Sequence, residues 1–314
     1  MKQSRALAVR QAMKLAVSVA ACVLAAASVA PLSAQTRLSI SPAQPAPGAI
    51  VRVTLRAPDV AADTIEGVMA GEPLHFVPAG RGVWRSFGAI PIDASRSVAA
   101  RAFIRRGGRV DTVIARVAVP EVKVVASRLS VAPRFSQPMD SATAARVADE
   151  NARARAVGQR SHRTPQLWRA PFRRPRESIV TSQFGTGRVF NGVVTSRHLG
   201  VDFRGGIGED VRAANRGVVA LADTFFLAGR VVYVDHGLGV VTSYFHLSEA
   251  LVSAGDTVER GQIIGRVGES GRVTAPHLHW AARYGSLSVN PLDLVRLTAP
   301  ARPAPATPPS KPSP

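Results

Sequence analysis

The sequence has a single cysteine, Cys22, among its 314 residues. One cysteine cannot form a disulfide within the chain, and Cys22 lies in an N-terminal segment that we expect to be removed. Any metal site in the remaining chain must therefore be built from histidines and carboxylates. Long apolar runs are also missing after the first 35 residues. Since a membrane span takes about 20 apolar residues, that part of the chain is not expected to cross a bilayer.

The N-terminus has the pattern of an export signal. Four basic residues precede an apolar stretch from Leu15 to about Ala30, and small residues follow it. We predict a signal peptide over residues 1–34, with cleavage after Ala34 or, alternatively, after Ala30. The protein is then exported to the periplasm or cell envelope. An uncleaved membrane anchor is the other interpretation of the same stretch.

Lipidation is a further alternative, because residues 19–22 resemble a lipoprotein processing box. The chain stays apolar for about ten residues after Cys22, where a lipoprotein usually begins a polar tether. This favours cleavage over a lipid anchor at Cys22.

Acidic residues are scarce, at 21 against 40 basic ones, and the formal net charge is +19. A basic protein is attracted to polyanions. For an exported protein we expect peripheral contact with anionic polymers and lipid headgroups of the envelope, and no nucleic acid partner. The alternative is that the arginine-rich composition only keeps the protein soluble.

The sequence predicts a mainly β protein with an N-terminal accessory domain over residues 36–124. Residues 49–56 alternate apolar and polar side chains, which predicts a strand with Val51, Val53 and Leu55 facing inward. Residues 97–106 and 110–119 flank a Gly-Gly-Arg turn and predict a hairpin. We expect a small Ig-like β-sandwich, in which the lone His75 is structural.

Residues 125–176 predict a helical, Arg- and Pro-rich linker. Asp140 or Ser141 caps a helix that continues to about Val157. In the basic stretch that follows, Trp168 and Phe172 could bind a polymer, but docking of these aromatics on the next domain is the favoured interpretation. Residues 177–297 predict a second strand-rich domain, with strands at 217–223, 230–236 and 240–246. Residues 298–314 predict a Pro-rich disordered tail.

Five of the seven histidines fall between positions 198 and 279, in this second domain. His277 and His279 are two residues apart, so on a strand both imidazoles enter one cavity while Leu278 faces the core. His198 and Asp202 are four apart, and Gly200 with Val201 favours a turn entering a strand over a helix. Two histidines and one carboxylate would make a zinc site that leaves one position for water.

These motifs occur together in a known family. The order is H-x-x-x-D at His198 and Asp202, then Tyr244-Phe245-His246-Leu247-Ser248, then H-x-H at His277 and His279. Asp235-His236-Gly237 and a G-D-x-V-x-x-G-Q run at 255–262 accompany it. The segment of about 120 residues resembles the lysostaphin/LytM-type zinc metallopeptidases, which are cell-wall DD-endopeptidases.

The resemblance implies an antiparallel-β peptidase domain with one Zn²⁺ held by His198, Asp202 and His279. It implies that His246 and His277 handle protons, that His236 is structural, and that peptidoglycan cross-links are the substrate. His162 receives no role. The alternatives are an inactive LytM-type regulator of other wall hydrolases, with a regulatory protein partner, and a basic wall-binding protein with an incidental metal site.

The sequence departs from the family before the H-x-x-x-D motif. Lysostaphin-like members that cut glycine bridges have a tyrosine there, thought to support the oxyanion, whereas this chain reads Arg188-Val189-Phe190-Asn191. Phe190 has no hydroxyl to donate. This favours direct stem-peptide cross-links over glycine bridges as the substrate.

Overall fold

The computed structural model describes residues 35–58, 63–192 and 194–299, without the side chains of residues 194 and 195. The predicted signal peptide, the Cys22 alternative and residues 300–314 of the predicted tail lie outside these ranges. Strands outnumber helices, so the predicted mainly β architecture is confirmed. In the described part of the chain, no helix is long and apolar enough to cross a membrane.

The N-terminal region is built from two four-stranded sheets that share one hydrophobic core. The sheet orders are β1-β2-β6-β5 and β4-β3-β7-β8, so the predicted sandwich is confirmed, while its Ig-like character stays a prediction. The strands are β1 (Arg37–Ser41), β2 (Ile50–Arg56), β3 (Thr64–Met69), β4 (Glu72–Pro73), β5 (Val77–Pro78), β6 (Val83–Ala89), β7 (Arg96–Arg106) and β8 (Arg109–Val119).

Local sequence explains two features of this sandwich. On β2, the three apolar residues predicted to face inward, Val51, Val53 and Leu55, are all 0% exposed. Between β7 and β8, Gly107 and Gly108 have φ of 49° and 81°. A two-residue hairpin turn of this kind needs positive φ at both central positions, which glycine adopts without strain.

The linker contains more regular structure than the sequence predicts. It forms β9 (Ala126–Leu129), a 3-10 helix (Pro133–Phe135) and α1 (Ser141–Ser161). Asp140 caps α1 by accepting a hydrogen bond from the Thr143 backbone N–H at 2.6 Å, as expected, and the helix runs one turn beyond the predicted end. The sequence did not predict β9, which pairs in parallel with a strand of the second domain.

The basic stretch after α1 connects the two strand-rich regions through its aromatic side chains. Trp168 stacks on Phe87 of the sandwich with ring centroids 5.9 Å apart. Phe172 is 2% exposed and belongs to the core of the second domain. These contacts agree with the interpretation of this stretch as a docked connector.

The second domain centres on an eight-stranded antiparallel sheet of order β10-β13-β21-β17-β16-β15-β19, with β22 paired to β21. The three strands predicted from sequence appear as β15, β16 and β17. The elements are β10 (Val180–Ser182), β11 (Gly187–Phe190), β12 (Val194–Arg197), β13 (Val201–Arg204), β14 (Asp210–Arg212), β15 (Gly217–Phe225), β16 (Gly229–Gly237), β17 (Val240–Leu247), β18 (Glu249–Ala250), β19 (Thr257–Val258), β20 (Ile263–Arg266), β21 (His277–Tyr284), β22 (Leu287–Val289) and α2 (Pro291–Thr298).

A chain of polar contacts joins the sandwich to the second domain. His162 lies between its two partners, with its Nε2 2.8 Å from Oε2 of Glu72 and its Nδ1 2.8 Å from Nε2 of His75. The Tyr284 hydroxyl donates to the Pro73 carbonyl at 2.6 Å. His75 and His162, to which the sequence assigns no chemistry, therefore both lie at this junction.

Candidate metal centre

The candidate centre lies where β13 and β21 pair. Asp202 on β13 is the register partner of His279 on β21, and His198 precedes β13 in the turn that leads into it. Leu278, between the two histidines of β21, is 0% exposed. The strand pairing therefore places the side chains of Asp202, His277 and His279 on one face while the intervening residue fills the core.

Three potential ligand atoms meet at this point. Nε2 of His198 lies 3.0 Å from Oδ1 of Asp202 and 2.9 Å from Nδ1 of His279. The same Nδ1 atom lies 2.8 Å from Oδ1 of Asp202. All three residues are buried. The structure thus brings together the three residues that the sequence proposes as metal ligands, although two of them are 77 positions apart.

The donor set fits a divalent metal ion. Nδ1 of His198 donates to the Gln183 carbonyl at 2.8 Å, with the Ser182 hydroxyl 3.0 Å away. A neutral imidazole has one N–H, so this bond leaves a lone pair on Nε2, which faces the carboxylate. Anchoring of the second ring nitrogen by a backbone carbonyl is typical of histidines that bind metals. Two imidazole nitrogens and one carboxylate oxygen match a catalytic zinc site.

The protonation states agree with metal binding at neutral pH. Burial opposes ionisation of Asp202, but the close contacts of its carboxylate with the rings of His198 and His279 outweigh burial and hold the pKa of this carboxyl well below its ordinary value. Burial lowers the pKa of His279 to about 4. Asp202 is therefore ionised and His279 neutral at pH 7, which are the forms that coordinate a metal.

His246 and His277 form a second pair beside this centre, with ring centroids 5.0 Å apart. Nδ1 of His246 donates to the Ser270 carbonyl at 2.8 Å, and Nδ1 of His277 donates to the Ala275 carbonyl at 2.7 Å. Each ring keeps its Nε2 for another partner. Nε2 of His277 is buried 3.7 Å from Oδ1 of Asp202 and has no hydrogen-bond partner among the described residues.

The backbone of His246 has a φ of 61°, a conformation that residues other than glycine seldom adopt. His246 lies within a register shift between β16 and β17, and its N–H donates to the Ala228 carbonyl at 3.0 Å. Burial, together with the nearby His277 and His279, lowers the pKa of His246 well below its ordinary value. Strain of this kind, about 1–3 kcal/mol, is typical of residues held in place for function.

Sequence reasoning missed Arg188 as a member of the site. Its guanidinium donates to Oδ2 of Asp202 and also contacts the Ser182 hydroxyl at 3.3 Å. Arg188 therefore neutralises the carboxylate oxygen that faces away from the two histidines. The stretch around Arg188 differs from the resembled family in its missing tyrosine, but no local pattern indicates that an arginine on β11 reaches a residue on β13.

The linker also contributes to the site. A cleft of about 370 Å³ borders Asp202 and His277, and β9 forms part of its wall. A smaller cavity of about 140 Å³ borders His279 on the other side, beneath α1. Glu150 of α1 accepts the Phe226 backbone N–H with both carboxylate oxygens, at 3.0 and 2.9 Å. The segment that the sequence assigned to a connector thus forms two walls around the centre.

His236 lies apart from these clusters and is 0% exposed. Its Nδ1 donates to the Arg216 carbonyl and its Nε2 accepts from the Thr242 hydroxyl, each at 2.8 Å. Both ring nitrogens are therefore used within the fold. This geometry suits the structural role that the resemblance implies for His236.

Acid is expected to destabilise the fold through His236. Burial lowers its pKa from 6.5 to about 4. Between these values the unfolded chain binds the extra proton and the folded chain does not, so stability falls as the pH falls. We expect a loss of about 1.4 kcal/mol per pH unit from this residue. Denaturant unfolding between pH 7 and 4 should show a weaker pH dependence in His236→Gln. If the pH dependence of stability is the same in His236→Gln and in the wild-type protein, the lowered pKa of His236 is wrong.

Comparison with protein families gives one match at the centre. The model of Peptidase family M23 matches residues 196–291, a range that contains the four site histidines, Asp202 and the structural His236. A solved structure assigned to peptidase M23 from Pseudomonas aeruginosa superposes with a TM-score of 0.62 at 23% identity, covering 80% of this chain and 95% of that chain. At this identity, the likeness concerns the fold.

Two curated relatives match about a third of the chain. The peptidoglycan DD-endopeptidase ShyA of Vibrio cholerae is 42% identical over 119 residues, covering 36% of this chain and 27% of ShyA. The DD-carboxypeptidase/endopeptidase Mpg of Neisseria meningitidis is 40% identical over 97 residues, covering 31% of this chain and 22% of Mpg. The match spans about a quarter of the length of these relatives.

Proposed function

We propose, from the premise that residues 196–291 belong to peptidase family M23, that the chain is a zinc metalloendopeptidase that hydrolyses peptide cross-links of bacterial peptidoglycan. The observation that carries the proposal is the convergence of His198, Asp202 and His279 on one point. The names of ShyA and Mpg support peptidoglycan as the substrate.

In the proposed centre, Nε2 of His198, Oδ1 of Asp202 and Nδ1 of His279 would hold one zinc ion. A bound zinc ion supplies Lewis-acid chemistry and lowers the pKa of a coordinated water from 15.7 towards about 7. The protein keeps these three atoms in the ligating protonation state by the anchor on Gln183 and by burial. Arg188 fixes the other oxygen of the carboxylate.

His246 and His277 handle protons in the proposed reaction. Their Nδ1 atoms are held by backbone carbonyls, so the Nε2 atoms are the ones that exchange protons with substrate or water. One of them takes the proton of the attacking water and returns a proton to the leaving amine, and the other hydrogen-bonds the developing oxyanion. Burial keeps His246 neutral at pH 7, which suits a group that accepts a proton.

The alternative of an inactive regulator has no observation in its favour. A regulator of this kind would have lost ligands, whereas all five site residues of this chain are present, and four of them are buried at the site beside the partly exposed His277. We further propose action in the periplasm or cell envelope, because the substrate lies there and the N-terminus has the pattern of an export signal. The proposal also includes a protein partner that regulates this chain.

The test is mass spectrometry of muropeptides released from purified cell wall. Zinc-loaded protein is expected to release cross-link cleavage products, a chelator to abolish their release, and added zinc to restore it. Products that persist at the same rate in metal-free protein would contradict the metallopeptidase assignment. An intact wall after treatment with zinc-loaded protein would contradict the peptidoglycan substrate.

A further inference from the structure

The cleft beside the candidate centre is strongly basic. Its lining includes three arginines, Arg188, Arg204 and Arg272, together with His277. Asp202 is the single acidic side chain among the lining residues, and it already contacts Arg188 and two histidines. Within the described residues, the cleft thus holds a surplus of positive charge directly next to the ligand atoms.

Arg272 is the member whose surroundings call for an anion. Its guanidinium lies over the Phe190 ring, 4.1 Å from the centroid, and its backbone N–H donates to the Leu227 carbonyl at 2.8 Å. The side chain is half-buried, yet no carboxylate contacts it in the described part of the chain. Burial and the neighbouring charge of Arg188 lower the pKa of Arg272.

A half-buried guanidinium without an anion is unfavourable, because it loses hydration and is repelled by a second cation without compensation by an ion pair. The ring of Phe190 compensates only in part, through its negative face. Phe190 stands in the stretch where glycine-bridge enzymes of the resembled family have a tyrosine. Here that stretch supplies an aromatic platform that holds a cation in the cleft.

Arg204 extends the same surface. It is exposed at the end of β13, two residues after Asp202, and its side chain has no acidic partner among the described residues. A planar carboxylate can accept two parallel hydrogen bonds from a guanidinium. The cleft therefore offers two unpaired guanidinium groups to an anion that arrives next to the reacting atoms.

We infer that this cleft is a carboxylate-binding subsite, in which Arg272, assisted by Arg204, binds a free carboxylate of the substrate beside the scissile amide. The inference rests on the proposed peptidase function and deepens it. The substrate class is an anionic cross-linked peptide, as opposed to a neutral bridge. Recognition of the carboxylate aligns the amide with the catalytic histidines, so a substrate that lacks this charge is turned over slowly.

The test compares two cross-linked muropeptides that differ only in one group, a free α-carboxylate or the corresponding carboxamide beside the scissile bond. Zinc-loaded full-length protein is expected to favour the carboxylate by about 10- to 100-fold in kcat/KM, the usual effect of a hydrogen bond to a charged group. Arg272→Gln is expected to remove this preference by slowing the carboxylate substrate alone. Arg272→Lys, which keeps the charge, should retain part of it.

Arg134→Gln is the matched control. Arg134 also holds its guanidinium over a phenylalanine ring, that of Phe135, at 4.8 Å, but it does not line the cleft. Arg134→Gln should leave the preference for the carboxylate substrate intact. Thermal unfolding and zinc content of each variant separate a folding or metal defect from a loss of recognition.

A second readout does not depend on turnover. Calorimetric titration of metal-free wild-type protein should give tighter binding of the carboxylate muropeptide than of the carboxamide, and this difference should vanish in Arg272→Gln. Equal affinity for both ligands in the wild-type protein would overturn the subsite. If the subsite binds selectively but zinc-loaded protein cleaves neither muropeptide, the proposed peptidase function fails and the carboxylate recognition stands.

Discussion

Replacing His279 with alanine is expected to abolish zinc binding and peptidoglycan hydrolysis together, whereas His246→Ala is expected to abolish hydrolysis with zinc retained. His279 contributes one of the three converging ligand atoms, at 2.8 Å from Asp202 Oδ1. Without it, only one imidazole and one carboxylate remain, which is too few for a catalytic zinc site. His246 contributes no atom to that group of three.

The magnitudes differ as well as the zinc content. Loss of a proton-transfer group typically slows a reaction by about 10²- to 10⁴-fold, so His246→Ala should leave measurable residual turnover. His279→Ala should fall to the metal-free level, because both the metal and its activated water are lost. The measurements are zinc content by mass spectrometry and the rate of muropeptide release for both variants.

Two outcomes would contradict this division of roles. Stoichiometric zinc in His279→Ala would show that His279 is not a ligand. Full activity in His246→Ala would show that His246 takes no part in proton transfer. The same experiment on His277→Ala compares the contributions of the two proton-handling histidines. The two differ in structure: Nε2 of His277 lies 3.7 Å from Oδ1 of Asp202, whereas His246 has the strained backbone.

The candidate centre could be predicted from sequence because its geometry follows from local rules. The alternation of side chains along a strand places His277 and His279 on one face and Leu278 in the core. Gly200 and Val201 disfavour a helix, and His198 does lie in a turn that leads into β13. These rules need no knowledge of the tertiary structure. The family resemblance supplied the remaining step, that the segment with His198 and Asp202 meets the segment with His279.

Other parts of the site depend on tertiary contacts that no local pattern encodes. Arg188 lies on β11 in a different sheet from β13, and its guanidinium reaches Asp202 only in the folded protein. In the sequence it resembles any other arginine of a basic chain. The positive φ of His246 arises from a register shift between two strands. Strand β9 is short and largely exposed, so its pattern carries little hydrophobic signal before it pairs with β11.

The role of the linker is the largest difference between the expectation and the structure. Its helix was expected from capping and composition, but its position against the second domain was not. Ala154 and Val157 of α1 pack in one cluster with Tyr233 and Val241, next to the strand that bears His279. A helix with a mostly polar surface docks here through a few small side chains, a pattern that is hard to distinguish from a solvated helix in the sequence.

Gly158→Ala should report on this docking, and we expect it to lower the free energy of unfolding by about 2 kcal/mol, the net of overpacking and helix propensity. In an isolated helix the same change is favourable by about 1 kcal/mol, because alanine is the better helix former. In the folded protein, however, the added Cβ would lie 1.9 Å from the carbonyl oxygen of Gly285. That atom belongs to the backbone of the β21–β22 turn, so it cannot move aside cheaply, and overpacking of this kind costs about 1–3 kcal/mol or more.

Ala148→Gly is the matched control, since Ala148 is exposed on the same helix and its replacement tests helix propensity alone. It should cost about 1 kcal/mol. Denaturant unfolding measures both variants, and hydrogen exchange of the α1 amides shows whether the helix has separated from the sheet. If Gly158→Ala instead stabilises the protein by about 1 kcal/mol, helix propensity dominates at this position, and α1 is not held against the β21–β22 turn as closely as the structure has it.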